Sequence, residues 1–402
     1  MLEFASATSA IPDTTKAAKA AIKEAVFALG SAPCRLVVFH VTMGHDPALA
    51  LRAIKEAVPQ ARVVGNSCAG VIGRSGANES MRALALMAVG GTDSEVTVVH
   101  RDGVRGENSK ATTQAMAEEI RQRVGPVQSA MYIGPGIDIA MDQVIAGFEA
   151  VFGADTVLFG GTASDNMKGI ATYQCIDDSV FEHAAYLIGF SDPTLAIETQ
   201  ATHGFVPAGI EFEVTRASGH RVHELDGQPA WQVYTRGLGL TAAATPGDTI
   251  PPGALGVALS PELAKEYGDS HILRVVTHCE SDGTFMLPVT CPVGTKLSLM
   301  RRDETRIFAN LAVTMKELTA RTQGLRPVAV FHTDCGARGR LMLDRVSKDE
   351  IVADMQKPLY GDECGPWLGM YGFGEITVLG GRNLFHNYTT SLYVLTRPEG
   401  KR

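Results

Sequence analysis

Apolar positions along this chain switch back and forth between two spacings. Over 13–29, Ala, Ile and Val recur three and four residues apart behind Asp13, which predicts a capped amphipathic helix. "CRLVVFHV" (34–41) is a continuous β-rich apolar run and predicts a strand. "DPALALRAIKEAV" (46–58) returns to helical spacing, and its Asp-Pro start suits a first helical turn. "ARVVGNSCAGVIG" (61–73) reads as a strand entering a turn of small residues. "SMRALALMAVGG" (80–91) and "EVTVVH" (95–100) read as further strands, and 107–124 as a polar helix.

The same order then recurs. "SAMYIGPGID" (129–138) is a strand and a Gly/Pro turn, "IAMDQVIAGFEAVFG" (139–153) a helix, and "DTVLFGGTASDNMKG" (155–169) a strand into a Gly-rich turn. "EHAAYLIGFSD" (182–192) matches 81–91 in placement, and Gly65 matches Gly160. A third echo links "VFHVTMGH" (38–45) with "VFHTDCGA" (330–337), both strand ends running toward a helix. "GMYGFGEITVL" (369–379) and "HNYTTSLYVL" (386–395) read as closing strands. Periodicity breaks near 200–228, and "TAAATPGDTIPPGALG" (241–256) reads as a surface loop or a lid. The pattern predicts an α/β (α+β) fold of two lobes, 1–205 and 206–402. Helices cover mixed sheets, and the first lobe carries an internal pseudo-repeat.

Composition narrows the function. The 402 residues carry a net charge of −8 and no block of Lys/Arg, so nucleic acid and anionic membrane are not expected partners. No apolar stretch approaches a membrane span, and the N-terminus lacks a basic start followed by an apolar run, so no signal peptide is expected. Seven scattered cysteines without a CxxC pair fit a reduced, cytoplasmic protein with free thiols.

Candidate chemistry concentrates in "FHTDCGARGRL" (331–341). Cys335 ends a predicted strand where a helix begins at Gly336, the end at which α/β sheets bind ligands. It reads as a buried small hydrophobe, a pocket wall or a nucleophile. Arg338 can hold a carboxylate with its fork or pair internally with Glu375. Glu375, behind two glycines, can accept from an ammonium or serve as a general base. Asn387 and Thr389 alternate on one face of a predicted strand and can line a pocket. Gly161 and Asp165 belong to a Gly-rich turn able to cradle an anion, though Asp165 can equally cap the next turn. Cys68, flanked by Ser67 and Ala69, is a second candidate nucleophile. It would need a base such as His386, His332 or His278. Metal-ligand types occur without metal-site spacing, so no metal is expected.

The trio "AVFHTDCGARGRLML", "GMYGFGEI" and "NLFHNYTTSLYVL" resembles the C-terminal half of the FIST family, and "VVGNSCAGVI" and "LFGGTASD" resemble turns of its N-terminal half. The likeness runs from about residue 30 to 395. It implies a FIST N-terminal-like domain over 1–205, a FIST C-terminal-like domain over 206–402, and a sensory protein binding a small ligand such as an amino acid or derivative. Arg338, Glu375, Asn387, Thr389, Asp165, Gly161 and Ser67 are then the expected ligand residues. Many members carry output domains. None is expected here, so the signal would pass to a separate partner, and a homodimer is possible. Some members resemble haem-bearing nitric-oxide sensors, so haem is the one cofactor the resemblance suggests. Cys68 stands where the family usually has Thr, and Asn66 where it often has Cys. That departure keeps open a cysteine-dependent hydrolase or lyase acting on a small carbonyl compound through Cys68 or Cys335, with Glu375 or His386 assisting.

Overall fold

In the computed structural model, which describes residues 1–399, the predicted helices and strands form three like units. The first contains β1 (Glu3–Ser9), α1 (Thr14–Leu29), β2 (Cys34–Thr42), α2 (Pro47–Ala57), β3 (Arg62–Cys68), the hairpin β4 (Val71–Gly73) and β5 (Gly76–Asn78), and β6 (Leu84–Gly90). Asp13 and Asp46 cap α1 and α2 as the sequence predicts, each accepting a backbone N–H of the first turn. The second contains β7 (Val96–Arg101), α3 (Ser109–Val124), β8 (Ser129–Gly134), α4 (Met141–Phe152), β9 (Val157–Thr162), the hairpin β10 (Gln174–Ile176) and β11 (Ser179–Phe181), and β12 (Ala185–Phe190).

The third unit opens with β13 (Ala196–Thr202) and is then interrupted. The interruption is a sheet of β14 (Phe205–Ser218), β15 (Arg221–Leu225), β16 (Gln228–Pro229), β17 (Ala254–Ala258), β18 (His271–Arg274), β19 (His278–Cys279), β20 (Phe285–Met286) and β21 (Lys296–Arg302). Short helices α5 (Ala230–Gly237), α6 (Pro246–Thr249) and α7 (Pro261–Tyr267) accompany it. The unit resumes with α8 (Glu304–Arg321), β22 (Leu325–Cys335), α9 (Arg345–Tyr360), β23 (Trp367–Gly372), the hairpin β24 (Gly374–Leu379) and β25 (Arg382–His386), and β26 (Thr390–Pro398). The "VFH" echo marks β2 and β22, which hold corresponding places.

Each unit builds a sheet around a parallel pair, β2–β3, β8–β9 or β22–β23, flanked by one antiparallel strand. None completes its sheet with its own hairpin. The strand orders are β1-β6-β2-β3-β10-β11, β7-β12-β8-β9-β24-β25 and β13-β26-β22-β23-β4-β5. Unit one therefore lends its hairpin to unit three, unit three to unit two, and unit two to unit one. Segments on both sides of residue 205 thus share sheets.

Two glycines permit one of these exchanges. A Cβ on Gly161 would lie 2.0 Å from the Gly374 carbonyl oxygen, and Gly160 has φ 107°, which side chains rarely adopt. Along the centre, inward residues of all three sheets form one buried cluster, among them Val38, Met131, Phe159, Phe331 and Tyr393. Phe159 packs against Tyr393 (5.0 Å between ring centres), Phe331 (5.7 Å) and Phe190 (6.0 Å), joining units two and three directly. Among the described residues no helix is long and apolar enough to cross a membrane.

Removing this aromatic junction should lower global stability. Phe159→Ala is expected to cost ~3–5 kcal/mol in urea unfolding, because a fully buried ring leaves a cavity that close-packed neighbours cannot refill. A loss under about 1 kcal/mol would show that the three sheets do not depend on this contact.

Candidate functional site

The ends of the parallel strands meet at the centre of the molecule, and backbone and hydroxyl groups stitch them together. Ser67 Oγ donates to the Ser164 carbonyl (2.8 Å), the Ala69 N–H donates to Ser164 Oγ (2.9 Å), and Ser164 Oγ donates to the Tyr371 carbonyl (2.6 Å). Turns from units one, two and three are thereby bound to one another.

Two N–H groups of the "GGTASD" turn are committed within the protein, Ala163 to Gly134 and Ser164 to Ser67, so the turn does not present the run of free N–H groups that an anion cradle needs. Ser67 is likewise committed, since its Oγ also accepts from the Tyr173 N–H. Asp165 turns away and caps the next loop, accepting from the N–H groups of Lys168, Gly169 and Ile170 (2.8–3.1 Å). Gly161 stands opposite Glu375 between β9 and β24.

Beside this junction lies a cavity of about 260 Å³. Its wall joins the turn after β8 (Gly136, Ile137), the loop capped by Asp165 (Met167–Gly169), Cys335 and Ala337 after β22, and Phe373. The inserted sheet supplies the other side through Thr245–Gly247, Ile250 and the segment Val275–Cys279. Residues 241–253 of the 241–256 stretch, ahead of β17, therefore form a strap along one side of the cavity. The wall is largely apolar, with Thr277, His278, Cys279 and Cys335 among its polar groups. Among the described residues, Lys168 is the one lining side chain of fixed charge.

Of the residues singled out by sequence, Cys335 and His278 line the cavity. Cys68 is fully buried in the central cluster, where desolvation pushes its thiol far above the ordinary range. Burial also lifts the Cys335 thiol, and Glu375 nearby adds to the effect. The expected helix at Gly336 is a single 3₁₀ turn, Gly336–Arg338, and α9 starts only at Arg345. No helix N-terminus therefore favours a thiolate at Cys335.

Arg338 is 1% exposed and donates from Nε to Asp334 Oδ1 (2.9 Å), so its partner is Asp334 rather than Glu375. One guanidinium nitrogen, Nη1, is buried without a partner. Burial raises the Asp334 carboxyl, while Arg338 and Thr390 pull it back down. Burial and Arg338 hold His332 down at about 3, so it stays neutral.

Glu375 is fully buried and accepts from Thr389 Oγ1 (2.7 Å). Its pKa is raised well above the usual value, first by burial and also by Asp334. Asn387 and Thr389 do not alternate along a strand. They occupy the turn between β25 and β26, around Tyr388 at φ 58°. Asn387 Nδ2 donates to the Phe373 carbonyl (2.9 Å), and its Oδ1 accepts from the Val275 N–H (3.2 Å). It thus pins two pieces of the cavity wall from behind. His386 meets Tyr267 Oη (3.1 Å) through Nδ1, so its partner is not a cysteine. Burial, with Arg274 and His203 nearby, keeps it uncharged.

Sequence reasoning missed Met167, Lys168, Phe373 and the 275–277 part of the wall, and named His278 only as a candidate base. Only "MKG" carried a signal, as a lone lysine directly after a Gly-rich turn. Among the described residues no group of three His, Cys, Asp or Glu side chains is placed to hold a metal ion.

The FIST N domain matches residues 35–228, and the FIST C domain matches 230–377. The chain belongs to the FIST family. Two uncharacterized proteins, from Mycobacterium bovis and Mycobacterium tuberculosis, are each 25% identical over 241 residues, covering 59% of this chain and 60% of theirs. The chain thus spans about three fifths of the length of those two relatives. A further uncharacterized Mycobacterium tuberculosis protein is 24% identical over 390 residues, 96% of this chain and 97% of its own. Among solved structures, cyanuric acid hydrolase from A. caulinodans matches at 8% identity and TM-score 0.38, covering 99% of each chain. T. maritima PurL complexed with ATP matches at 9% identity and TM-score 0.25, covering 99% of this chain and 72% of its own. Likeness at those scores assigns nothing to this chain.

Glu375 makes stability depend on pH in a definite direction. The unfolded chain ionises near the usual glutamate value of 4.5, while the folded state resists ionisation. Stability contributed below that pH is therefore lost progressively as pH rises above it. Glu375→Gln mimics the protonated acid. Its Tm relative to the parent is expected to be higher at pH 8 than at pH 5. A variant relatively less stable at pH 8 would show that Glu375 is ionised in the fold.

Proposed function

We propose that this FIST protein binds a small carboxylate-bearing metabolite, amino-acid-like in size, in the central cavity. It acts as a cytoplasmic sensor that reports occupancy to a separate partner. The observation carrying this reading is the cavity itself: about 260 Å³, mostly apolar, with one ammonium, Lys168, on its wall. Arg338 lies behind the wall, tied to Asp334, so the anchoring cation in this reading is Lys168. The strap 241–253 gives the readout. It carries one short helix, α6, held by a Thr245–Asp248 capping box, and ligand contacts to Thr245–Gly247 would favour its closed position.

One observation favours the cysteine-hydrolase or lyase alternative, namely that Cys335 lines the cavity. Its raised thiol pKa and a Glu375 kept protonated by burial both oppose nucleophilic attack. Haem fits less well. His278, Cys279 and Cys335 are suitable donor types on the wall, but a macrocycle exceeds a cavity of about 260 Å³.

Titration calorimetry against amino acids and their 2-oxo acids tests the reading. Lys168→Met is expected to weaken the binding ligand at least ~10-fold, or about 1.4 kcal/mol. Unchanged affinity would remove Lys168 from the site. Bound ligand should also protect 241–253 from limited proteolysis.

Iodoacetamide labelling followed by peptide mass spectrometry separates sensor from enzyme. Native Cys335 and Cys68 are expected to stay unmodified near neutral pH while both react in urea. Fast native labelling of Cys335 would move the conclusion to a cysteine enzyme.

A further inference from the structure

A second cavity, of about 350 Å³, lies where the inserted sheet meets α4 and the β24–β25 hairpin. It shares no lining residue with the first. Its wall is chiefly aliphatic and aromatic, with Ile145, Leu287, Val289, Leu297 and Phe385 among its residues. Arg274, the last residue of β18, lines it too.

Arg274 makes an unusual set of contacts. Nη1 donates to two carbonyls, Leu273 O (2.9 Å) and Phe385 O (2.8 Å), which fixes the guanidinium in place. Nε and Nη2 have no hydrogen-bond partner among the described residues. Arg274 is half-buried and neither atom is fully enclosed, so both remain open to a partner beside the cavity that Arg274 lines. No carboxylate lies within ion-pair distance of Arg274 among the described residues.

The acidic neighbour on the same wall, Asp142, is already occupied. It accepts from the Thr290 N–H (2.9 Å) and from Thr290 Oγ1 (2.5 Å). Desolvation brings the guanidinium down to about 10 despite the nearby Asp142. A cation held in poorly hydrated surroundings without a counter-ion is an incomplete interaction. Its free N–H groups present the fork that matches a planar carboxylate.

We propose that this cavity is a binding site for a small apolar monocarboxylate, its carboxylate on Arg274 Nε and Nη2 and its hydrocarbon body among Ile145, Leu287 and Phe385. Asp142 selects against dianions such as phosphate, because a second negative charge beside Arg274 would add to the repulsion from its carboxylate. The apolar wall selects against short hydrophilic acids.

Calorimetry on the whole chain with isovalerate, benzoate, isovaleramide and inorganic phosphate tests the site. Isovalerate or benzoate is expected to bind saturably, while isovaleramide, which lacks the charge, and phosphate do not. Arg274→Met should lower carboxylate affinity at least ~10-fold and Arg274→Lys less, because an ammonium lacks the fork.

A measurement on the unmodified protein stands beside this in case the variants fold poorly. Phenylglyoxal should label Arg274, as read by peptide mass spectrometry, and saturating isovalerate or benzoate should protect it. The assignment is overturned if neither carboxylate binds. It is equally overturned if binding occurs without protecting Arg274, or if isovaleramide binds as well as isovalerate.

Discussion

Hairpin exchange is the constraint on which the rest of this molecule depends. Each parallel strand pair needs an antiparallel neighbour on its far side, and in every unit that neighbour arrives from another unit. An unpaired edge of backbone N–H and C=O groups is costly when buried. No single unit can therefore complete its own sheet. The crossing turns, 67–71, 162–173 and 371–374, must pass one another at the centre, which explains why Ser67, Ser164 and Tyr371 are bonded across more than three hundred positions of sequence. It also explains why their polar groups bind protein rather than ligand.

That constraint marks the limit of what the sequence disclosed. Period and capping are local, so α1, α2, β2 and β3 were legible almost to the residue: Asp13 and Asp46 announce their helices, and the alternation of period separates strand from helix. The strand-turn echoes at Gly65 and Gly160 and at the two "VFH" runs were real signs of repetition. Their full meaning, a third unit split by an inserted sheet, stayed hidden because 205–302 separates β13 from β22. Which hairpin pairs with which strand is a long-range fact with no local signature. The "GGTASD" turn reads as a candidate anion cradle for the same reason, since a free loop and a crossing turn share one composition. Asn387 and Thr389 were misplaced onto a strand because nothing in "HNYTT" betrays the left-handed Tyr388.

Behind the first cavity sits a layer of polar groups that a hydrophobic core would not need. Arg338 and Asp334 are paired, Glu375 is neutral, and His332 and His386 are uncharged. A layer of this kind contributes little net stability, because desolvation offsets most of the attraction. It does fix geometry. Thr389 orients Glu375, and Asn387 ties the Phe373 backbone to the Val275 backbone. The same low-dielectric surroundings that hold these groups neutral suppress the Cys335 thiolate. The layer thus builds a wall and works against a nucleophile.

The inserted sheet closes one side of both cavities. It lies over Cys335, Ala337 and Phe373 beside the crossing turns, and its 288–290 loop binds the start of α4 through Pro288 and Thr290. Both cavities are seams between the three-unit body and this sheet, and the chain passes from one to the other within a single step, from Arg274 to Val275. The family boundary at residues 228–230 cuts across the first seam: Gly136 and Met167–Gly169 lie on one side of it, Thr245–Ile250 and Cys335 on the other. Neither half contains a complete wall. The two FIST domains in this chain are therefore one structural unit as far as the site is concerned, and the strap and segment 275–279 are as much part of it as the strand ends.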